Sequence, residues 1–215
     1  YQQRMIQFAL QHPRCGLFVP MGMGKTSASL AIIDVLKNIF EEGPALVIAP
    51  LAVARNSWPS EVRKWEDFCH LKVSPILGTT KERIKALHTK ADIYVINYDN
   101  LMWLDSFFTA KKYTWPFPVV IADESTRLKS FRTRQGSKRA KALAKFSNFF
   151  KRFIALTGTP SPNGLNDLWG QLWFIDHGER LGKSFTAFHN RWFRPLQVGA
   201  NAAAVQWVPH DFAQS

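Results

Sequence analysis

Two short stretches hold residue types that could do chemistry. Residues 119–126, VVIADEST, run an apolar, β-branched segment into two adjacent acids, Asp123 and Glu124. Taken alone, the polar end of a buried strand is the plainer reading, because strands that finish in an acid are common. Residues 19–29, VPMGMGKTSAS, are more specific. Gly22 and Gly24 let the backbone curl so that its N–H groups face inward, and the helix opening at Lys25 presents its positive end to phosphate. On this reading Met21, Gly22, Met23, Gly24, Lys25, Thr26 and Ser27 cradle ATP, with Lys25 on the β- and γ-phosphates and the Thr26 hydroxyl on Mg²⁺. The full spacing G-x-x-x-x-G-K-[ST] is not met, since Val19 stands at the first glycine position; a glycine-rich turn before an ordinary helix is the alternative. A phosphate loop needs a second metal anchor from a neighbouring strand end. Asp123 fits that need, and Glu124 beside it can take a proton from an attacking water. Lys25, Asp123 and Glu124 are therefore the expected catalytic set, with Thr26 and Asp123 as the metal ligands.

Such residues must be positioned by a sheet. Short apolar runs at 15–19, 45–49, 72–77, 93–96, 119–122 and 153–156 read as buried strands. Amphipathic stretches at Lys25–Phe40, Asn56–Phe68, Lys81–Leu87 and Thr133–Lys145 read as helices. Continuous apolar strands separated by helices imply an α/β fold with a mainly parallel sheet covered on both faces, and ligands in such sheets gather at the carboxyl ends of the strands. On a single helix 56–68, Trp58 and Trp65 would share one face and pack into the core. The aromatic-rich segments 102–108 and 112–118 also read as packing. The pattern weakens after residue 178, and QVGANAAAV (197–205) reads as a loop or extension.

Composition narrows the class. The chain has 215 residues, 46% of them hydrophobic, enough for one substantial core. No apolar run approaches a membrane span of roughly 18 residues, the first residues lack the apolar centre of a signal peptide, and an opening on Tyr1 is expected of a piece of a longer chain. Cys15 and Cys69 have no paired-thiol spacing and the six histidines no ligand pattern, which points to a reducing, cytoplasmic setting without zinc. The net charge is +12, and residues 127–152 hold ten basic side chains and no acid. That balance favours a polyanionic partner, although part of a basic helix face is simply solvated.

The ordered motifs YQ (1–2), MGMGKT (21–26), IAPLAVARNSWPSEVRKW (48–65), VINYDNL (95–101), VIADESTRLKS (120–130) and ALTGTPSPNGLNDLWGQLWFI (155–175) resemble the first motor lobe of a Swi/Snf-like, superfamily-two helicase-related ATPase. The resemblance implies a three-layer RecA-like P-loop lobe over residues 1–178. Residues 179–215 would then be an extension towards a second, similar lobe that is absent here and would bring arginines to the γ-phosphate. It assigns Gln2 to the adenine, and Thr157, Gly158 and Thr159 to coupling nucleotide state to lobe movement. Nucleic-acid contacts would fall near Leu51, Arg55, Asn97, Tyr98 and Asp99. Where the family has Ala or Gly followed by His after its Asp-Glu pair, this chain has Ser125 and Thr126, and Thr126 is the expected substitute in coupling. The implied activity is ATP-driven translocation on duplex DNA without sequence preference, in a bacterial or virus-infected cell. The alternative is a non-catalytic, ATP-switched module that binds DNA or protein.

Overall fold

The computed structural model describes residues 1–132, 138–197 and 205–211. In chain order the elements are α1 (Gln2–Gln11), β1 (Arg14–Phe18), α2 (Lys25–Asn38), β2 (Ala45–Ala49), α3 (Trp58–Lys64), β3 (Val73–Ile76), α4 (Thr80–His88) and β4 (Ile93–Asn97). They continue with α5 (Leu101–Lys111), β5 (Val119–Asp123), α6 (Lys138–Ala144), β6 (Arg152–Thr157), α7 (Asn166–Asp176), α8 (Phe185–Trp192), β7 (Phe193–Gln197) and β8 (Val205–Pro209). Strands β1 to β6 form one parallel sheet in the order β1-β6-β5-β2-β4-β3.

The apolar runs become strands because both their faces are buried. In β2 every position is buried, and successive side chains point to opposite sides of the sheet. Ala45, Val47 and Ala49 join one core with Met5 of α1, Leu30 of α2 and Trp58 of α3. Leu46 and Ile48 join the other with Ala86 of α4, Leu104 of α5, Leu143 of α6 and Phe174 of α7. The result is the expected three-layer α/β lobe.

Several expectations change. The single helix over 56–68 resolves into a π-helical turn at Val53–Ser57, then α3, then an extended Trp65 (φ −108°, ψ 122°), then a 3-10 turn at Glu66–Phe68. The break after Lys64 takes Trp65 off the face it was expected to share with Trp58. Trp58 is fully buried, whereas Trp65 is 41% exposed and donates its indole N–H to Glu61 at 2.9 Å. Helices α1 and α5 were not anticipated. In α5 Leu101, Leu104 and Phe108 turn inward, so the aromatic-rich segment 102–108 does pack. Of the helix expected over 133–145, residues 133–137 lie outside the described residues, and α6 covers 138–144. Of the loop expected over 197–205, residues 198–204 lie outside them, and the flanking residues pair as the antiparallel hairpin β7–β8. Beyond residue 178 the chain packs back on α7: Trp169, Phe188 and Phe193 form a small third cluster, and the Trp169 indole donates to the Gly182 carbonyl at 2.8 Å.

Candidate functional site

The parallel register brings the chemistry-bearing residues to one edge. Phe18 of β1 lies beside Thr157 of β6, and Leu156 of β6 lies beside Asp123 of β5. Ala49 of β2 lies beside Asn97 of β4. The loops that follow these five strands all open at their carboxyl ends. There Gln2, Met21, Gly22, Gly24, Lys25, Thr26, Ser27, Asp123 and Glu124 line a single cleft of about 420 Å³, within the usual size range of a small-molecule site. Met23 does not line it.

The loop between β1 and α2 has the curl the glycines predicted. Gly22 and Gly24 sit at φ 80° and 72°, a region that costs an L-residue about 1–2 kcal/mol. A Cβ at Gly24 would also come within 2.0 Å of the Gln2 amide nitrogen. Gln2 donates to the Ser27 hydroxyl at 3.2 Å, and Ser27 donates to the Gly24 carbonyl at 3.0 Å, so α1 is tied to the loop through the residue expected to read adenine. The Lys25 ammonium donates to the carbonyls of Val19 and Pro20 at 2.9 and 3.0 Å. A cation held by loop carbonyls at the edge of this cleft suits a phosphate chain, which would offer it oxygens of higher charge.

Across the cleft Asp123 is 8% exposed, and its Oδ2 accepts the Trp58 indole N–H at 3.0 Å. Burial raises its pKa above the usual carboxylate value; the Trp58 hydrogen bond opposes the rise, the neighbouring Glu124 adds to it, and Lys25 opposes it. Thr26 and Asp123 supply only two protein donors, and among the described residues no group of three or more His, Cys, Asp or Glu side chains could cage a metal. That donor set fits a Mg²⁺ completed by phosphate oxygens and water. A carboxylate held in a site that disfavours its charge implies a stability cost. Asp123→Asn, which can keep the Trp58 hydrogen bond, is expected to raise the urea midpoint of the unliganded lobe at neutral pH. The gain should shrink as pH falls through the raised pKa, where the parent carboxyl is neutral too. Equal midpoints for the two proteins at neutral pH would count against the cost.

The residues expected to couple nucleotide state to lobe movement are placed as follows. The Thr157 carbonyl accepts the Val19 N–H at 3.1 Å, the Thr157 hydroxyl accepts the Thr159 N–H at 3.1 Å, and a Cβ at Gly158 would sit 3.3 Å from the Met21 nitrogen. The TGT turn therefore lies directly against the phosphate loop. Thr126 makes no side-chain hydrogen bond among the described residues. Its neighbour Ser125, fully buried, donates to the Gln171 Oε1 at 2.8 Å, and Gln171 donates to the Pro160 carbonyl at 2.6 Å. Close approach of α7 permits this: a Cβ at Gly170 would lie 2.6 Å from the Leu128 carbonyl. Gln171 was missed in the sequence, where a lone amide inside the apolar run LWGQLWFI was the available signal.

On the expected nucleic-acid edge, Leu51 and Arg55 are exposed, and Asp99 is exposed and paired with Arg139 at 2.7 Å. Asn97 and Tyr98 depart from expectation. Their side chains are buried, and the Tyr98 hydroxyl turns inward to the carbonyls of Asp123 and Glu124. Much of the basic stretch is internally paired: Lys129 with Asp167, Lys145 with Asp105, Arg152 with Glu42. Arg134 lies outside the described residues. A more apolar cavity, lined by Pro44, Tyr94, Phe108 and Phe117 among others, opens where the chain enters β2 and β5, the end of the sheet away from the acids. Among the described residues no helix is long and apolar enough to cross a membrane.

A family profile described as SNF2-related domain matches residues 1–208. The chain is 50% identical over 204 residues to protein p41 of Acyrthosiphon pisum secondary endosymbiont phage 1, which covers 92% of this chain and 43% of that protein. It is 32% identical over 167 residues to the ATP-dependent helicase FUN30 of Saccharomyces cerevisiae, covering 75% and 14% respectively. The SWI2/SNF2 ATPase core of Sulfolobus solfataricus, solved in complex with dsDNA, aligns with a TM-score of 0.67 at 28% identity, covering 89% of this chain and 37% of that one. The chain thus spans less than half the length of each of these relatives.

Proposed function

The chain belongs to the SNF2-related family and carries the fold of its ATPase core, and from that premise we propose that it is the first motor lobe of an ATP-driven translocase on duplex DNA. The observation that supports this best is the shared cleft. The phosphate-loop residues Lys25 and Thr26, the adenine-side Gln2 and the acids Asp123 and Glu124 all face it, although they are up to 122 residues apart in sequence (2 to 124).

In this reading Gln2 orients the adenine, and the Gly22–Thr26 amides and the Lys25 ammonium bind the phosphates. Thr26 and Asp123 would hold Mg²⁺, which when bound neutralises charge on the phosphate oxygens. Glu124 takes the proton from the attacking water. Thr157, Gly158 and Thr159, in contact with the phosphate loop, pass the loss of the γ-phosphate towards a second lobe, to which residues 179–215 would lead. The exposed edge at Leu51, Arg55 and Asp99, with α6 alongside, lies along the DNA backbone.

The test is phosphate release, with and without duplex DNA, by a chain carrying both lobes. Turnover stimulated by DNA is expected; none under either condition would favour a non-catalytic, ATP-switched binding module. Binding itself should be salt-dependent. If about four phosphates are contacted, raising salt from about 50 to about 200 mM should weaken affinity about a hundredfold, with little sequence preference. Fluorescence anisotropy on unrelated duplexes reads both, and a flat salt response or one strongly preferred sequence would count against backbone tracking.

A further inference from the structure

Tyr98 does not line the cleft, yet it touches the candidate machinery from beneath. It follows β4 directly and is 2% exposed. Its hydroxyl lies 2.8 Å from the Asp123 carbonyl oxygen and 3.2 Å from that of Glu124. Strands β4 and β5 are not neighbours, because β2 runs between them. The phenol therefore reaches past the end of an intervening strand to grip the turn that carries both acids.

That turn needs holding. Glu124 sits at φ 57°, in the left-handed region, which costs a residue with a Cβ about 1–2 kcal/mol and persists only where the surroundings enforce it. One hydroxyl proton shared by two successive carbonyls is such an enforcement, since the two oxygens converge on it only while Glu124 keeps this conformation.

We propose that Tyr98 is a positioning residue: its hydroxyl fixes the left-handed turn at Glu124 and so aims the water-activating carboxylate into the cleft. The inference rests on the reading of Glu124 as the base. It assigns to the turn after β4, expected from the sequence to meet nucleic acid, a second role in setting the rate of the chemical step.

The test is made in a chain with both lobes. Tyr98→Phe keeps every ring carbon in the core and removes only the donor. It is expected to lower kcat at least about tenfold, because small displacements of a reacting group are costly, while KM for ATP and affinity for a non-hydrolysable analogue stay within about twofold. Amide exchange across residues 123–127 should quicken. Tyr94→Phe is the control. Its hydroxyl donates to the Thr89 carbonyl at 2.6 Å, beside the apolar cavity away from the acids, so it loses a similar bond. It should show a similar fall in urea midpoint with kcat unchanged. A Tyr98→Phe protein that turns over within twofold of the parent overturns the proposal. So does an equal loss of kcat in Tyr94→Phe, or a KM that rises in step with the loss. A parent with no turnover would be a different result, overturning the reading of the site and this inference with it.

Discussion

In a chain carrying both lobes, Glu124→Gln is expected to bind ATP as the parent does and to lose turnover by about 10²–10⁴, the usual worth of a positioned general base. The substitution preserves side-chain length and the ability to hydrogen-bond water, and removes only the capacity to accept a proton. Lys25→Ala should separate the two functions from the other side. Its ammonium, now shared between the Val19 and Pro20 carbonyls, is the cation closest to the expected phosphates, and a charge-assisted hydrogen bond of this kind is worth about 1.5–3 kcal/mol. Affinity for ATP should therefore fall about 10- to 150-fold. Equilibrium binding of a fluorescent ATP analogue and steady-state phosphate release read the two effects independently. If Glu124→Gln hydrolyses ATP near the parent rate, the proton is taken elsewhere and the assignment of the base is wrong.

Residues 1–215 alone are expected to turn ATP over at close to background, with or without DNA. Among the described residues the cleft is lined by the loop before α2, α3 and the acids at the end of β5, and a second lobe is expected to close it. An arginine that reaches the transferred phosphoryl group is worth about 10³–10⁵ in rate in related NTPases, and among the described residues that line the cleft none is an arginine. Nucleotide bound to an open wall also stays in contact with water, which weakens each electrostatic contact made to it. Supplying the remainder of the motor should restore turnover and make it responsive to DNA. Several turnovers per second by the isolated 215 residues, accelerated by DNA, would mean that a complete site lies within them and that no second lobe is needed for chemistry.

The local signals in the sequence determined much of the fold and pointed to residues that line the candidate site. Glycine at positions 22 and 24, a Lys-Thr pair at a helix start and two acids at the end of an apolar strand are each dictated by chemistry within a few residues. Continuous apolar runs such as 45–49 and 119–122 could be satisfied only by burial on both faces, which leads to a parallel sheet under helices. Those features lie at the expected places in the structure.

Only the tertiary structure decided what lies between distant segments. Trp58 read as core, and it is core; that its indole also holds the Asp123 carboxylate depends on α3 crossing above the end of β5, 65 residues along the chain. Trp65 read as core and is exposed, because one extended residue ends α3 and no propensity within the helix signals it. Tyr98 read as a nucleic-acid contact by its place in a motif, and Thr126 as the coupling residue. Hydroxyl direction then turned Tyr98 inward to the Asp-Glu carbonyls and gave the link to α7 to Ser125 and Gln171. A sequence records which groups can donate and accept. The partner each one finds is set by strand order and helix approach, which bring together atoms that the chain itself keeps tens of residues apart.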